Sequence, residues 1–109
     1  MVVLMREKGS VFNLAAAVDY HDGAVVSKII SSSEGGSVTL FAFDEGQSLS
    51  EHTAPFDALV VVLDGACEVS IGGKKSALKA GDAVVMPANV PHALEAAGRF
   101  KMMLVMTKA

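Results

Sequence analysis

The chain has 109 residues, of which 51% are hydrophobic and 19% charged, and its formal net charge is −3; this length fits one domain built on one core. Its basic residues form no run along the sequence, which argues against nucleic acid and anionic membrane surfaces as partners. No leader-like segment and no apolar segment of about 20 residues is recognisable, and the single cysteine cannot form an internal disulfide, so we expect a cytoplasmic protein.

Short apolar runs rich in Val, Ile, Leu and Phe alternate with clusters of Gly, Ser, Asp and Pro, which predicts an all-β sandwich or barrel. Residues 12–19 come first and fit either one helical turn or an edge strand, because their periodicity does not decide between the two. The predicted strands that follow are 24–30, 38–43, 58–63, 67–71, 75–79, 83–86, 92–96 and 100–107.

Three connectors between these strands carry residues that tolerate a positive φ, which predicts tight hairpin turns. They are Asp64-Gly65, Gly72-Gly73 and Ala80-Gly81-Asp82. No repeat or long linker divides the chain. We therefore predict a single domain over residues 1–109, in which an N-terminal extension and strands within 1–37 precede a barrel over about 38–107.

The clearest motif begins at Gly81 and continues with Pro87, Asn89 and His92. These spacings resemble the second cupin motif, which runs Gly, five residues, Pro, one residue, Gly, two residues, His, three residues, Asn. Asn89 replaces the second glycine of that motif, a mild change because asparagine tolerates a left-handed backbone. The second departure is Ala96, which occupies the position of the closing asparagine.

An upstream segment resembles the first cupin motif, since five residues separate Gly46 from His52 and Gly65 stands at the closing glycine. In metal-binding cupins this motif also supplies a second histidine and a glutamate or histidine; here those positions are Ala54 and Ala58. The chain thus resembles a small single-domain cupin of the RmlC-like superfamily with a degenerate first motif. The resemblance implies an all-β, antiparallel jelly-roll barrel, or double-stranded β-helix, around a central cavity.

Within that cavity we expect two histidines opposite methyl groups, because strand alternation gives His52, Ala54 and Ala58 the same parity. The imidazoles could hold a divalent transition metal weakly, bind a carboxylate or transfer a proton, or they could be hydrogen-bonded relics. Candidate ligand-binding residues are His52, His92, Ala54, Ala58, Val60 and Met86. His52 and His92 are also the candidate metal ligands; the residues specify no catalytic group and no definite cofactor.

Other chemistry-bearing residues have a structural and a functional interpretation. Asp57 and Glu51 are the carboxylates nearest the missing ligands, yet their parity places them outside the cavity unless a bulge turns one inward. Cys67 is expected to be a buried hydrophobic residue and His21 a surface turn residue. A group of methionines fits either adaptable core filling or the wall of an apolar ligand pocket. These are Met86, Met102, Met103 and Met106.

Three functions stay open at this point. A stand-alone barrel that binds a small molecule, with or without a divalent metal, is favoured by the alanines at two ligand positions. A metal-dependent oxygenase or isomerase would use His52 and His92 with a recruited carboxylate. A purely structural module is weaker, because buried imidazoles cost free energy unless they are hydrogen-bonded. Residues 59–63 and 102–106 are apolar at both parities, which predicts a homodimer.

Overall fold

The computed structural model describes residues 2–3 and 8–108 of the chain. Within these residues it forms nine strands and one short 3₁₀ turn, Ala15–Ala17. The strands are β1 (Val2–Val3), β2 (Val25–Ser33), β3 (Gly36–Phe43), β4 (Ser48–His52), β5 (Phe56–Ile71), β6 (Lys74–Lys79), β7 (Ala83–Met86), β8 (His92–Glu95) and β9 (Phe100–Lys108). Only the pairing of β1 with β2 is parallel among these described strands. No helix in the described ranges has the length and apolar content needed to cross a membrane.

Strand β5 is the central element, because its 16 residues pair with four other strands. Its first half pairs with β7 and β9, and its second half pairs with β6 and β8. The strand therefore passes from one sheet into the other and joins them. The two sheets form the antiparallel jelly-roll barrel that the sequence led us to expect.

The predicted hairpin at Asp64-Gly65 is wrong, since this dipeptide lies inside β5. The register between β5 and β9 shifts between Val62 and Asp64, so a bulge bends the strand there. Gly65 has a φ of +72°, and a Cβ at this position would collide with the carbonyl oxygen of Arg99. The glycine thus permits both the bend and the close approach of the Arg99 backbone. The two strands predicted on either side of it are a single strand, β5.

The hairpin predicted at Gly72-Gly73 is confirmed, since β5 and β6 pair across it and both glycines have positive φ. Gly81 also has a positive φ, but the hairpin predicted there is wrong, because β6 and β7 each pair with β5 and not with each other. The strand predicted at 83–86 has the observed ends, and the remaining predicted strands are present with shifted ends. Strand β4 was not predicted, because its sequence Ser-Leu-Ser-Glu-His is mostly polar and mostly exposed. Of the two alternatives for residues 12–19, the chain adopts the helical turn, where Asn13 Oδ1 accepts a hydrogen bond from the Ala16 amide at 3.0 Å.

The interior of the barrel is filled by aromatic rings at one end, which we call the aromatic end and define by Phe41, Phe43 and Phe100. The rings of Phe43 and Phe100 stack with centroids 4.5 Å apart, and Phe41 stacks on Phe43 at 5.9 Å. Phe43 and Phe100 are fully buried. Each such side chain contributes about 1.5–3 kcal/mol through burial, so this end anchors the barrel.

The outer face of the same sheet is partly covered by the chain itself. Val18 and the neighbouring N-terminal residues pack on Leu40, Leu63 and Met103. The covering segment is fastened by polar contacts: the Tyr20 hydroxyl donates to Asp64 Oδ2 at 2.6 Å, and Lys101 Nζ donates to the Ala15 carbonyl oxygen at 2.6 Å. Part of the apolar outer surface that led to the dimer prediction is therefore buried within one chain.

Candidate ligand-binding site

A cavity of about 50 Å³ lies in the barrel interior at the end away from Phe43 and Phe100; we call this the cavity end. Its lining consists of Leu49, His52, Ala54, Ala58, Met86, His92, Leu94, Met102, Leu104 and Met106. Sites for drug-sized ligands have volumes of about 300–1,000 Å³. The present cavity instead suits a metal ion with water molecules or a ligand of a few atoms.

Two imidazoles provide the polar atoms of this wall. His52 and His92 are direct partners in the pairing of β4 with β8, and their Nε2 atoms are 3.2 Å apart. Nδ1 of His52 lies 2.7 Å from the carbonyl oxygen of Ser50, and Nδ1 of His92 lies 3.1 Å from that of Val90. A carbonyl oxygen only accepts, so each Nδ1 carries a hydrogen, a tautomer assigned from these contacts.

The two fixed tautomers have a direct chemical consequence. When both rings are neutral, each Nε2 directs a lone pair toward the other nitrogen at 3.2 Å. Two opposed lone pairs repel each other, and a proton or a metal cation between them removes that repulsion. The geometry of the His52–His92 pair therefore favours a proton or a metal cation between the two nitrogens.

The two histidines differ in their contact with solvent. His92 is 2% exposed, whereas His52 is an exposed residue. Burial lowers the pKa of His92 below its usual range, and the neighbouring His52 acts in the same direction, while the Val90 carbonyl opposes both. His92 is thus neutral near physiological pH, and its Nε2 is free to act as a ligand or acceptor.

The connection before β8 holds His92 in place. Asn89 has a φ of +63°, so it adopts the left-handed conformation that the motif glycine would otherwise provide. Its amide donates to the Ala54 carbonyl oxygen at 2.8 Å, which ties this connection to the segment that follows His52. The Gly72 amide donates to the Pro91 carbonyl oxygen at 2.8 Å. These contacts fix the backbone on which the second histidine stands.

Most of the predicted ligand-binding residues lie together. His52, Ala54, Ala58, Met86 and His92 all line the cavity, so the predicted inward parity continues through the bend at residues 55–56. Val60 does not line the cavity; it is fully buried in the adjacent core.

Neither recruited carboxylate reaches the cavity. The register of β5 with β9 is regular at Asp57, and Asp57 Oδ1 accepts a hydrogen bond from the Ala88 amide at 2.8 Å. Glu51 is exposed and does not line the cavity. In the ranges that the structure describes, no three His, Cys, Asp or Glu side chains come together in a way that could hold a metal ion. The bulge in the pairing of β5 with β9 lies after Val62, so it does not turn Asp57 inward.

Several lining residues were missed or left undecided by the sequence. Met102 and Met106 face the cavity, as one interpretation of the methionines proposed, whereas Met103 packs on the outer face. Leu104, between the two inward methionines, could have been found from alternation along β9. Leu49 could not, because β4 was not recognised as a strand.

The resemblance implies a divalent metal, and the donors fit one only in part. A separation of 3.2 Å between the Nε2 atoms suits two ligands of one ion, each at about 2.0–2.1 Å. The further histidine and carboxylate are replaced by Ala54 and Ala58. Cys67 offers no thiolate, because burial raises its pKa to about 11 and it lies in the core. The two histidines could supply two nitrogen ligands to an ion, but the third nitrogen and the carboxylate of a complete divalent-metal shell are missing.

Comparisons with known proteins agree with the fold. A family model described as "Cupin domain" matches residues 39–107. A conserved protein of unknown function from Streptococcus pyogenes has 31% sequence identity and a TM-score of 0.91, over 100% of this chain and 96% of that one. A cupin superfamily protein from Desulfitobacterium hafniense has 27% identity and a TM-score of 0.88, over 94% of each chain.

A third similar structure belongs to a longer protein. The Cupin 2 conserved barrel domain protein from Leptotrichia buccalis has 44% identity and a TM-score of 0.86 over 89% of this chain. The chain spans about half of that protein, 47% of its length. No curated protein matches the chain.

Proposed function

This chain belongs to the cupin family, and from that premise we propose that its barrel binds a small ligand at the His52–His92 pair without turnover. The ligand is a metal ion, weakly held if divalent, or a small molecule that presents an acidic hydrogen to the two nitrogens. The observation that carries the proposal is the 3.2 Å separation of two Nε2 atoms whose partner nitrogens are both committed to carbonyl oxygens.

The two histidines have different roles in the proposed binding, because they differ in burial. His92 is buried and neutral, so its Nε2 is the constant acceptor. His52 stands nearer to solvent and supplies the second nitrogen. The aliphatic wall, including Leu94 and Leu104, keeps bulk water from competing for these contacts. A metal ion, when bound, would supply a Lewis acid at the same point.

The enzymatic alternative, an oxygenase or isomerase type, has less support. Catalysis by a resident metal needs three or four donors that keep the ion in place while substrate exchanges. Asp57 is held by the Ala88 amide and Glu51 is exposed, so neither carboxylate is available as a further donor. A binding function requires only the two nitrogens and the cavity.

Isothermal titration calorimetry with Zn²⁺, and thermal-shift assays with small carboxylic acids, test the proposal. We expect binding of one ligand per chain, and His52→Ala or His92→Ala should weaken it by at least about 10-fold. His21→Ala is the matched control, since His21 is exposed and lies outside the cavity; it should bind as the wild type does. The proposal fails if neither class of ligand binds, or if the His52 and His92 variants bind unchanged.

We also propose that two copies associate through the outer face. Val85 is 54% exposed, and Leu59 and Val105 continue the same row across β7, β5 and β9. A row of aliphatic side chains at one sheet face favours a second apolar surface. Light scattering should give twice the 11.3 kDa chain mass, and Val85→Lys should shift the protein toward monomer. A monomeric wild type at micromolar concentration would contradict this proposal.

A further inference from the structure

Three thioethers face the same cavity as the two imidazoles. Met86 and Met102 are 3% and 0% exposed, and Met106 is half-buried. The remaining wall is made of alanine and leucine. The side-chain donor atoms that line this cavity are therefore two nitrogens and three sulfurs, with no carboxylate, hydroxyl or amide among the lining residues.

The strand register places two of these methionines beside a position where metal-binding cupins carry a ligand. Ala58, which occupies the carboxylate or histidine position of metal-binding cupins, pairs with Met86 on one side and with Met106 on the other. Direct cross-strand partners have Cβ atoms about 4.5–5.5 Å apart. Because alanine ends at its methyl group, the long and flexible methionine side chains can lean over it toward the histidines.

The charge of this wall favours one class of ion. With neutral histidines the lining carries no negative charge to balance a divalent cation in an apolar cavity. The cost of taking an ion out of water grows with the square of its charge, so a monovalent ion of similar size pays about a quarter of the penalty. Thioether and imidazole ligands together suit monovalent copper, whereas hard divalent ions prefer oxygen ligands.

We propose that the cavity is a Cu(I) site in which His52 and His92 supply nitrogens and Met86 or Met106 supplies sulfur. The inference rests on the proposed function and names its ligand. Met106 also lines a cavity of about 190 Å³ at the barrel mouth, together with Ser33 and Lys108. Met106 therefore lines both this cavity and the one that holds the histidine pair.

Anaerobic competition with the Cu(I) chelator bicinchoninate tests the site, with Zn²⁺ and Mn²⁺ titrations in parallel. We expect one Cu(I) per chain, bound at least about 100-fold more tightly than either divalent ion. A Met86→Leu/Met106→Leu double variant keeps the apolar volume. It should lose at least about 10-fold in Cu(I) affinity while its Zn²⁺ affinity stays unchanged.

Met103→Leu is the matched control, since Met103 lies on β9 but packs on the outer face; it should bind both ions as the wild type does. X-ray absorption at the copper edge should show sulfur in the coordination shell, and this measurement on wild-type protein stands even if a variant fails to fold. A copper shell without sulfur, or equal affinity for Zn²⁺ and Cu(I), overturns the inference while leaving the proposed function in place. Absence of any ligand binding at the histidines overturns both.

Discussion

The two ends of the barrel interior share strand β9 but differ in how closely their side chains pack. At the aromatic end, the rings of Phe43 and Phe100 stack 4.5 Å apart with an interplanar angle of 12°. At the cavity end, Ala58 on β5 and Met106 on β9 line a cavity of about 50 Å³. Large rigid side chains fill one end, whereas small and flexible ones surround the histidine pair at the other.

The aromatic end therefore contributes most of the packing stability, and the cavity end carries the candidate binding site. Close-packed rings contribute stability that does not depend on a ligand. Residues around a cavity contribute less packing, so they can change without unfolding the barrel. The loss of two metal ligands to alanine at the cavity end is therefore compatible with a well-formed fold.

The largest expected effect is at the aromatic end. Phe100→Ala should lower the free energy of unfolding by about 3–5 kcal/mol, because it leaves a cavity in a fully packed region. His52→Ala, at the exposed side of the pair, should cost less than about 1 kcal/mol. Urea unfolding of both variants measures the difference. If His52→Ala destabilises the protein as much as Phe100→Ala, the two ends do not differ in the way described.

A large effect on metal affinity is expected from rebuilding the missing ligands. Ala54→His with Ala58→Glu should complete a shell of three nitrogens and one carboxylate with the existing histidines. Each enlargement should cost about 1–3 kcal/mol without metal, and the gain in Ni²⁺, Mn²⁺ or Fe²⁺ affinity should exceed about 100-fold.

Isothermal titration of wild type and double variant measures this gain. Ala77→His is a suitable control, because Ala77 is exposed on β6 and away from the cavity. A folded double variant with no gain would mean that Ala54 and Ala58 do not direct new side chains at the pair. By adding a carboxylate, the same variant should also reduce the preference for Cu(I) over divalent ions.

The smallest expected effect is the pH dependence of stability, and it separates two regions. The pKa of His92 is lower in the folded protein than in the unfolded chain. The unfolded chain therefore binds more protons once the pH falls below about 6.5, and stability falls through that window until the folded-state pKa is reached. In a His92→Gln variant this dependence should be flatter. An unchanged profile would contradict the buried, neutral state of His92.

Asp44, far from the cavity, should respond in a more acidic window. Hydrogen bonds from the Gly23 amide and the Arg99 guanidinium hold its pKa at about 2 in the folded protein. Its contribution is present above the unfolded-state pKa of 3.8 and is lost as the pH falls toward 2. An Asp44→Asn variant should therefore be less stable than wild type above pH 3.8, and this difference should shrink as the pH falls toward 2.

Sequence alone predicted the features that depend on local spacing. The inward position of Ala54 and Ala58 follows from alternation, and the left-handed Asn89 follows from its motif position. The bend at Gly65 was misassigned, because a glycine suits a turn and a bulge equally well and only the close approach of the Arg99 backbone distinguishes them. The arrangement of Met86 and Met106 beside Ala58 depends on strand order, which no local pattern specifies.

The proposed binding at the His52–His92 pair requires that both Nε2 atoms are free acceptors directed at one point. Long-range proton–nitrogen NMR on the histidine rings at about pH 8 tests it directly, since protonated and bare ring nitrogens have different shifts. We predict a protonated Nδ1 and a bare Nε2 in both His52 and His92, with both Nε2 resonances moving when Zn²⁺ is added. Hydrogens on both Nε2 atoms, or Nε2 resonances that no added ion or small acid shifts, would contradict the account.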